Sequence, residues 1–380
     1  ELGVVLQIAT EHRAEVMQVL REHGLSQHSH FIGKAQPDQA AIDKAKQALT
    51  VWRDAKQIFS AKLFDLQQVW DSVSWQICRE RDHVDCADAE HARQGLTEDK
   101  GLYFSPRFDV TQNPAVPFFH KAKPKVAILR EQGVNSHLEM AYAFSLAGFE
   151  PHDVHMSDLQ SGRVQLSAFH GMVACGGFSY GDTLGAGVGW ARSILFNPRL
   201  SEQFSEFFAH PQHFAMGVCN GCQMLAELSP IIPGAADWPR FTHNQSGRFE
   251  ARLSMVEVLD SPSIFFKGMA GSQLPIVVSH GEGFANFDAG KGGKGQVGAV
   301  QQALRFVDSA GLPTEIYPLN PNGSPNGLTG VTTADGRFTA LMPHPERVFR
   351  QAQFSWTNAQ DLSAHSPWLR IWQNARAWLA

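Results

Sequence analysis

The heptapeptide Gly217-Val218-Cys219-Asn220-Gly221-Cys222-Gln223 sets two cysteines three positions apart, directly after the apolar run Phe214-Ala215-Met216. Three chemistries use such a pair: a thiol-disulfide couple, half of a zinc site, or a nucleophile presented on a tight turn. Gln223 to Leu228 is good helix sequence, and Gly217 and Gly221 flank Cys219 on either side. A residue on a sharp strand-to-helix turn is held proud of the sheet, and small neighbours let a substrate and the next turn approach it. A thiol there also lies at the positive end of the helix dipole, which favours the reactive thiolate. Cys219 is therefore a candidate nucleophile. Zinc falls short on ligands, since no second cysteine pair and no histidine pair at knuckle spacing accompanies this one. A redox pair leaves the glycines and Gln223 without a role. Cys222, on the first helical turn, also suits a buried structural position.

Far downstream, Met342-Pro343-His344-Pro345-Glu346-Arg347 supplies an acid-base candidate. In extended chain, residues two apart point to one side, so His344 and Glu346 would share a face with Pro345 stiffening the link. A carboxylate beside an imidazole fixes its tautomer and supports its charged form; the imidazole can then take a proton from a thiol and return it to a leaving amine. Alone, a His-Pro-Glu is more often structural; a cysteine turn elsewhere in the chain gives it a partner. The loop Cys175-Gly176-Gly177-Phe178-Ser179-Tyr180-Gly181-Asp182 follows an apolar strand signal. Its glycines can aim a backbone N–H at a developing oxyanion, with the N–H of Asn220 as second donor, although an ordinary turn needs glycine too. Gly185 to Gly189 lacks the Rossmann spacing, and Gly290 to Gly295 lacks the Ser/Thr that follows a P-loop lysine.

These residues need a scaffold. Val126 to Leu129, Met172 to Cys175 and Phe214 to Val218 are short apolar strands, interleaved with helical stretches at Leu138 to Leu146, Gly189 to Phe196 and Leu200 to Phe208. Asn135-Ser136 is placed to cap the first of these helices and Gly148 to end it. Alternating strand and helix predicts a parallel sheet covered on both faces, with the loops that carry chemistry at its carboxyl edge. After Arg240, Arg248 to Leu253 and Met255 to Val258 have period two, which predicts an antiparallel excursion from that sheet. Residues Ala289 to Gly298 and Pro318 to Gly327 read as loops.

Upstream, Leu2 to Ile8 predicts a strand, Glu11 to Glu22 an amphipathic helix stopped by Gly24, and Phe31-Ile32 a second strand. From Pro37 to Arg93 the pattern is helical and charge-laced, with Leu63, Leu66, Val69, Trp70, Val73 and Ile77 spaced to pack one face on a partner. Gly95 to Pro124 is a linker rich in Gly, Pro and Asn.

The 380 residues suffice for two or three domains, and 43% hydrophobic composition suits buried cores. A net charge of -5, from 37 acidic against 32 basic residues without long blocks of either sign, offers no footprint for nucleic acid or an anionic membrane. A small molecule is the better default partner. No apolar run approaches the roughly 18 residues that would span a bilayer, and the first residues lack the pattern of a signal peptide, so a cytoplasmic protein is expected. Five cysteines in so long a chain are a poor disulfide framework, and reduced thiols are expected. The chain opens without Met inside a strand-like run, which points to a piece of a longer polypeptide.

Taken in order, the Gly-Gly loop, Gly217-x-Cys219-x-Gly221-x-Gln223 and His344-x-Glu346 resemble the triad class of glutamine amidotransferase domains. More narrowly, Leu129 to Ala141 ("LREQGVNSHLEMA"), Ala174 to Asp182 ("ACGGFSYGD"), Ser279 to Gly283 ("SHGEG"), Asn320 to Gly327 ("NPNGSPNG") and Met342 to Arg350 ("MPHPERVFR") are similar to the phosphoribosylformylglycinamidine synthase family of purine biosynthesis, in its large single-chain form. The likeness runs from about Pro124 to Ala380. It implies a flavodoxin-like, mostly parallel α/β sheet for residues 124–380, a helical segment and linker over 36–123, and the α+β tail of a synthetase domain over 1–35.

The resemblance further implies that Cys219 attacks the side-chain amide of L-glutamine, His344 moves the proton and Glu346 orients His344. Gly177 and Asn220 would donate the oxyanion-hole N–H groups, and Gln223 with Ser279, His280 and Gly281 would hold the substrate. No metal or cofactor is implied within this segment. ATP and Mg, with formylglycinamide ribonucleotide, belong to the synthetase region, most of which lies outside this sequence. The same resemblance assigns Cys222 no catalytic role.

Overall fold

The computed structural model describes residues 3–35, 46–355 and 364–380, and the chain divides into two compact units, Glu1–Leu66 and Gln67–Ala380. In the first unit, helix α1 (Arg13–Glu22) is present and Gly24 follows it with φ +69°. The strands expected on either side of it are not. Residues 3–9 and 31–35 have no regular structure, and Phe31 and Ile32 are exposed. An isolated β-like sequence has no ladder in which to satisfy its backbone groups. Where helix was expected from residue 37 onward, the structure has an antiparallel hairpin, β1 (Ala48–Arg53) with β2 (Lys56–Lys62). Its turn is Asp54-Ala55, both with positive φ (48° and 63°), the geometry of a tight hairpin usually marked by Asn-Gly or Asp-Gly. Residues 36–45, part of the same expected helical stretch, lie outside the described residues.

Helix α2 (Leu63–Arg81) then begins, followed by α3 (Val84–Arg93). The face predicted to pack is open. Val69, Trp70, Val73 and Ile77 are all exposed. What holds these helices in the second unit is polar: Trp75 stacks on His91 at 4.3 Å, and Asp82 and Glu90 pair with Arg248 and Arg252. The stretch from Gly95 to Pro124, read as a linker, is largely irregular with one 3-10 turn at Val116–Phe118, but it packs on the second unit: Ser105 pairs with Gln273, and Phe104 and Phe108 lie against the core.

The second unit is built on one nine-stranded sheet. Its parallel half consists of β3 (Lys125–Arg130), β4 (Glu150–His155), β5 (Gly171–Ala174), β6 (Phe214–Val218) and β13 (Phe338–Leu341), in the order β4-β3-β5-β6-β13. Residues Val126 to Leu129 and all of β5 and β6 are buried, as strands covered on both faces require. Edge strand β4 reads Glu-Pro-His-Asp-Val-His; Pro151 is tolerated there because an edge strand can spare an N–H. Beyond β13 the sheet continues with β12 (Leu328–Thr332), β11 (Gln301–Phe306), β8 (Glu250–Val258) and β9 (Gln273–His280), each antiparallel to its neighbour. The two period-two segments predicted after Arg240 are the single strand β8. A separate pair, β7 (Arg240–Thr242) and β10 (Phe284–Asn286), ties down the chain around the end of β9.

Helices cover both faces of the parallel half. On the face of Phe214 lie α4 (His137–Leu146) and α9 (Arg370–Trp378), whose Phe144 and Trp378 pack with Phe149 and Phe265 around the Phe214 ring. Gly217, an odd number of residues along β6, faces the other way, against α8 (Asn220–Glu227), which packs beside α6 (Val188–Leu195); α7 (Pro198–Ala209) in turn packs on α6. Ser136 stands at the start of α4 in a left-handed conformation, but its side chain makes no cap bond. The neighbouring Asn135 instead receives Arg347 at 2.7 Å, and its N–H donates to Gly176 O. The expected cap residues tie together loops at the carboxyl edge. The sheet is thus α/β as expected, and its antiparallel half is four strands wide.

Candidate active site

Cys219 sits at the carboxyl end of β6 with φ 53° and ψ −109°, a conformation that costs a non-glycine residue energy and that surrounding structure must enforce. The enforcement is visible. Cys219 N–H donates to Leu341 O at 2.9 Å, and Cys219 O receives Gln223 N at 3.0 Å. A Cβ on Gly221 would lie 1.9 Å from Ala174 O, so only glycine lets helix α8 start this close to β5. The strand-to-helix turn predicted from the two flanking glycines is present.

His344 follows β13, the next strand over, and its N–H donates to Val277 O at 2.8 Å. Its side chain is buried, and Nδ1–H donates to Glu346 Oε1 at 2.7 Å, within an equally buried carboxylate. The pair meets by a different route from the extended chain predicted: Pro345–Arg347 is a 3-10 turn, and the turn folds Glu346 back onto the ring. Burial opposes charge on His344, but the Glu346 carboxylate and then the Cys219 thiolate outweigh it, raising the imidazole to about 10. Burial likewise works against the Glu346 charge, and His344 more than compensates, so its carboxyl is lowered. An imidazolium-carboxylate pair results. His344 Nε2 has no hydrogen-bond partner among the described residues. The space between histidine and cysteine is kept by Gly176, whose Cβ would come within 2.6 Å of His344 Cε1 and 3.3 Å of Cys219 Cβ.

Gly177 has φ +142° and pairs with Val134 across a short antiparallel bridge formed through Asn135 N–H to Gly176 O and Phe178 N–H to Gly133 O. That bridge does not use the Gly177 N–H. Among the described residues neither it nor the Asn220 N–H, in the first turn of α8, finds an acceptor. Both Gly177 and Cys219 line a cavity of about 310 Å³. Its other walls include Gln223, Ser279, His280, Gly281 and Glu282, so all four residues expected to hold substrate are at the cavity.

How they are used differs among them. Ser279 offers its carbonyl, 3.6 Å from the Cys219 thiol. Gln223 spends its amide on the protein: Nε2 donates to Glu282 O at 2.6 Å, and Oε1 receives Asn220 Nδ2. The His280 ring is turned to Asn322, whose Nδ2 lies 3.2 Å from Nε2. Asn322 Oδ1 is already taken by Ser324 N and Oγ, so its amide can only donate to the ring. His280 is therefore neutral. Burial, reinforced by the positive charge of His344, lowers it to about 3.

Two residues outside the predicted set hold this loop. Asn244 accepts Gly283 N at 2.8 Å, donates to His280 O and Arg248 O, and gives its own N–H to Gly281 O. Asn322 fixes His280 from beneath. Asn322 lies inside the quoted "NPNGSPNG", yet a buried loop amide has no periodicity to betray it. Cys222 is completely buried, and burial followed by Cys219 pushes its thiol well above the usual value. All five cysteines are free. Among the described residues no group of three or more His, Cys, Asp or Glu side chains is disposed to hold a metal, and no helix is long and apolar enough to cross a membrane.

A strained cysteine at the head of a helix, with a buried imidazolium-carboxylate pair beside it, is equipped for thiol-based acyl transfer. The CobB/CobQ-like glutamine amidotransferase domain matches residues 123–379, and the chain belongs to that family. Among solved structures it is similar to PurLQS from Thermotoga maritima, at 24% identity over 67% of this chain and 97% of that one, with a TM-score of 0.49. A glutamine amidotransferase from Thermotoga maritima shares 17% identity over 60% of this chain and 77% of its own, with a TM-score of 0.36. One from Methylobacillus flagellatus shares 13%, over 68% and 93%, with a TM-score of 0.36.

Proposed function

We propose that the chain hydrolyses L-glutamine through a cysteinyl thioester. Cys219 Sγ attacks the side-chain amide carbon, and the resulting oxyanion is met by the N–H groups of Gly177 and Asn220. His344, oriented by Glu346, donates its Nε2 proton to the departing nitrogen, which leaves as ammonia. A γ-glutamyl thioester remains. Water attacks it with His344 accepting the proton, and glutamate departs as the Cys219 thiolate is restored. Gln223, Ser279, His280 and Gly281 shape the pocket, chiefly by backbone and by holding one another. The observation that carries this reading is the buried His344-Glu346 pair standing across Gly176 from Cys219.

The ammonia, on this reading, serves the ATP- and Mg-dependent conversion of formylglycinamide ribonucleotide to its amidine, in the large single-chain form of phosphoribosylformylglycinamidine synthase. Support comes from the ordered set of motifs between Leu129 and Arg350. The division into residues 1–35, 36–123 and 124–380 belongs to the same proposal, as does a cytoplasmic location. Ammonia released into neutral water would be protonated and lost as a nucleophile, so its transfer within one polypeptide is chemically sensible.

Mass-spectrometric mapping after treatment with an electrophilic glutamine analogue tests the glutaminase. Labelling confined to Cys219 and suppressed by glutamine is expected. Equal labelling of Cys219 and Cys222 without protection would favour a thiol-disulfide pair, a role that the burial of Cys222 argues against. The pathway is tested separately, by amidine formation from the ribonucleotide, ATP and glutamine with the full-length polypeptide.

A further inference from the structure

The charge in the cavity is unbalanced. Two carboxylates line it, Asp182 and Glu282, together with one arginine, Arg248, and two histidines, His243 and the neutral His280. Arg248 is already committed: its guanidinium faces Asp82 at 3.2 Å, Glu250 at 3.2 Å and Glu90 at 3.5 Å. His243 stands at the rim with its side chain 86% exposed, 3.6 Å from Glu282 Oε1. Asp182 has no ion-pair partner at all among the described residues. Its Oδ1 accepts only Asn220 Nδ2, at 3.2 Å, and Glu282 Oε2 accepts the Ala186 N–H at 3.2 Å. Burial and then the Glu282 charge raise the Asp182 carboxyl to about 6.

Both carboxylates are positioned by the machinery of the nucleophile. Asn220 follows Cys219 directly and holds Asp182, while Gln223, one helical turn on, holds the Glu282 backbone. An occupant whose carboxamide reaches Cys219 shares the cavity with both carboxylates, of which Asp182 has no ion-pair partner among the described residues and Glu282 only the exposed His243. L-glutamine carries a permanent cation, its α-ammonium, at the end opposite its carboxamide.

We infer that Asp182 and Glu282 are specificity residues that receive the α-ammonium group of the substrate, so that the site takes a free α-amino acid carboxamide and rejects simple carboxamides. The inference rests on the glutaminase reading above. Charge-assisted hydrogen bonds from an ammonium to two carboxylates are strong in a partly buried pocket, and an analogue lacking the ammonium leaves those carboxylates unpaired. Neither residue touches the reacting carbon. Their loss should weaken binding and leave the reactivity of Cys219 intact.

The test compares L-glutamine with glutaramic acid, which is glutamine without its amino group, as protectants of Cys219 against a small neutral alkylating agent. In the unaltered protein glutamine should protect at concentrations at least about tenfold lower than glutaramic acid, a gap equivalent to one ammonium contact. In Asp182→Asn/Glu282→Gln, glutamine should lose that advantage while glutaramic acid protects as before and the unprotected labelling rate stays the same. Equal protection by the two compounds in the unaltered protein would overturn the inference while leaving the glutaminase reading standing, and needs no variant to fold. A double variant that labels normally and keeps the preference for glutamine would overturn it as well. Protection by neither compound would overturn both.

Discussion

The parallel and antiparallel halves of the central sheet contribute to the site in different ways. Strands β5, β6 and β13 lead into Gly177, Cys219 and His344, groups whose positions follow from backbone conformation: a φ of +142°, a φ of 53°, a 3-10 turn. The antiparallel half contributes the end of β9 and the loop after it, Ser279 to Gly283, whose position follows largely from side-chain amides, those of Asn244, Asn322 and Gln223. On the proposed reading the first half supplies bond making and proton transfer, and the second supplies grip. Chemistry is fixed by main chain here, and recognition by replaceable side chains.

Substitutions can break that contrast, and the largest effect belongs to the nucleophile. Cys219→Ser should lower glutamate release by about 10⁴-fold or more with an unchanged unfolding midpoint, since a hydroxyl is a far poorer nucleophile at neutral pH. Gly221→Ala should be the most damaging to the fold, because its Cβ meets a backbone carbonyl at 1.9 Å; a loss of about 3 kcal/mol or more is expected in denaturant titration. Glu346→Gln keeps shape and removes charge. It should cut turnover by about 10²–10⁴-fold with little change in KM.

The same variant sharpens a pH prediction. His344, raised to about 10, contributes stability that is complete below its ordinary value near 6.5 and lost as pH rises through 10; Glu346, lowered, contributes stability present above about 4.5 and lost as pH falls below it. Unfolding midpoints between these limits should drop in Glu346→Gln, and the alkaline decline should flatten. A variant as pH-dependent as its parent would rule out the ion pair. Asn322→Ala should cost about 1–3 kcal/mol of stability and raise KM for glutamine while sparing kcat. A kcat loss at constant KM would instead place the loop within the chemistry and erase the distinction between the halves. Cys222→Ser should change glutamine turnover least, by less than about threefold, because its thiol is buried away from the cavity; a large loss would restore the redox pair as a rival.

The same contrast explains what the sequence disclosed. Cys219, Gly221, His344 and Glu346 were legible because backbone-determined chemistry needs fixed residue types at fixed spacing. Buried parallel strands such as Phe214–Val218 were legible as apolar runs. The grip was not: Asn244 and Asn322 act through loops far apart in sequence, and one asparagine in a loop looks like another. Polar β4 carries no strand signal because an edge strand need not be apolar. The hairpin Ala48–Lys62 reads as helix because Asp54-Ala55 lacks the glycine that advertises such a turn, and the β-like segments around α1 form no strands because pattern alone supplies no ladder partner.

The contact between Gly221 and Ala174 O has a mechanical meaning as well. Backbone pressed on backbone leaves no side chain to rearrange, so the turn bearing Cys219 behaves as a fixed anvil. The segment Ser279 to Gly283 that faces it is held instead by the end of β9 and by side-chain amide hydrogen bonds, so substitution can loosen that wall without touching the turn.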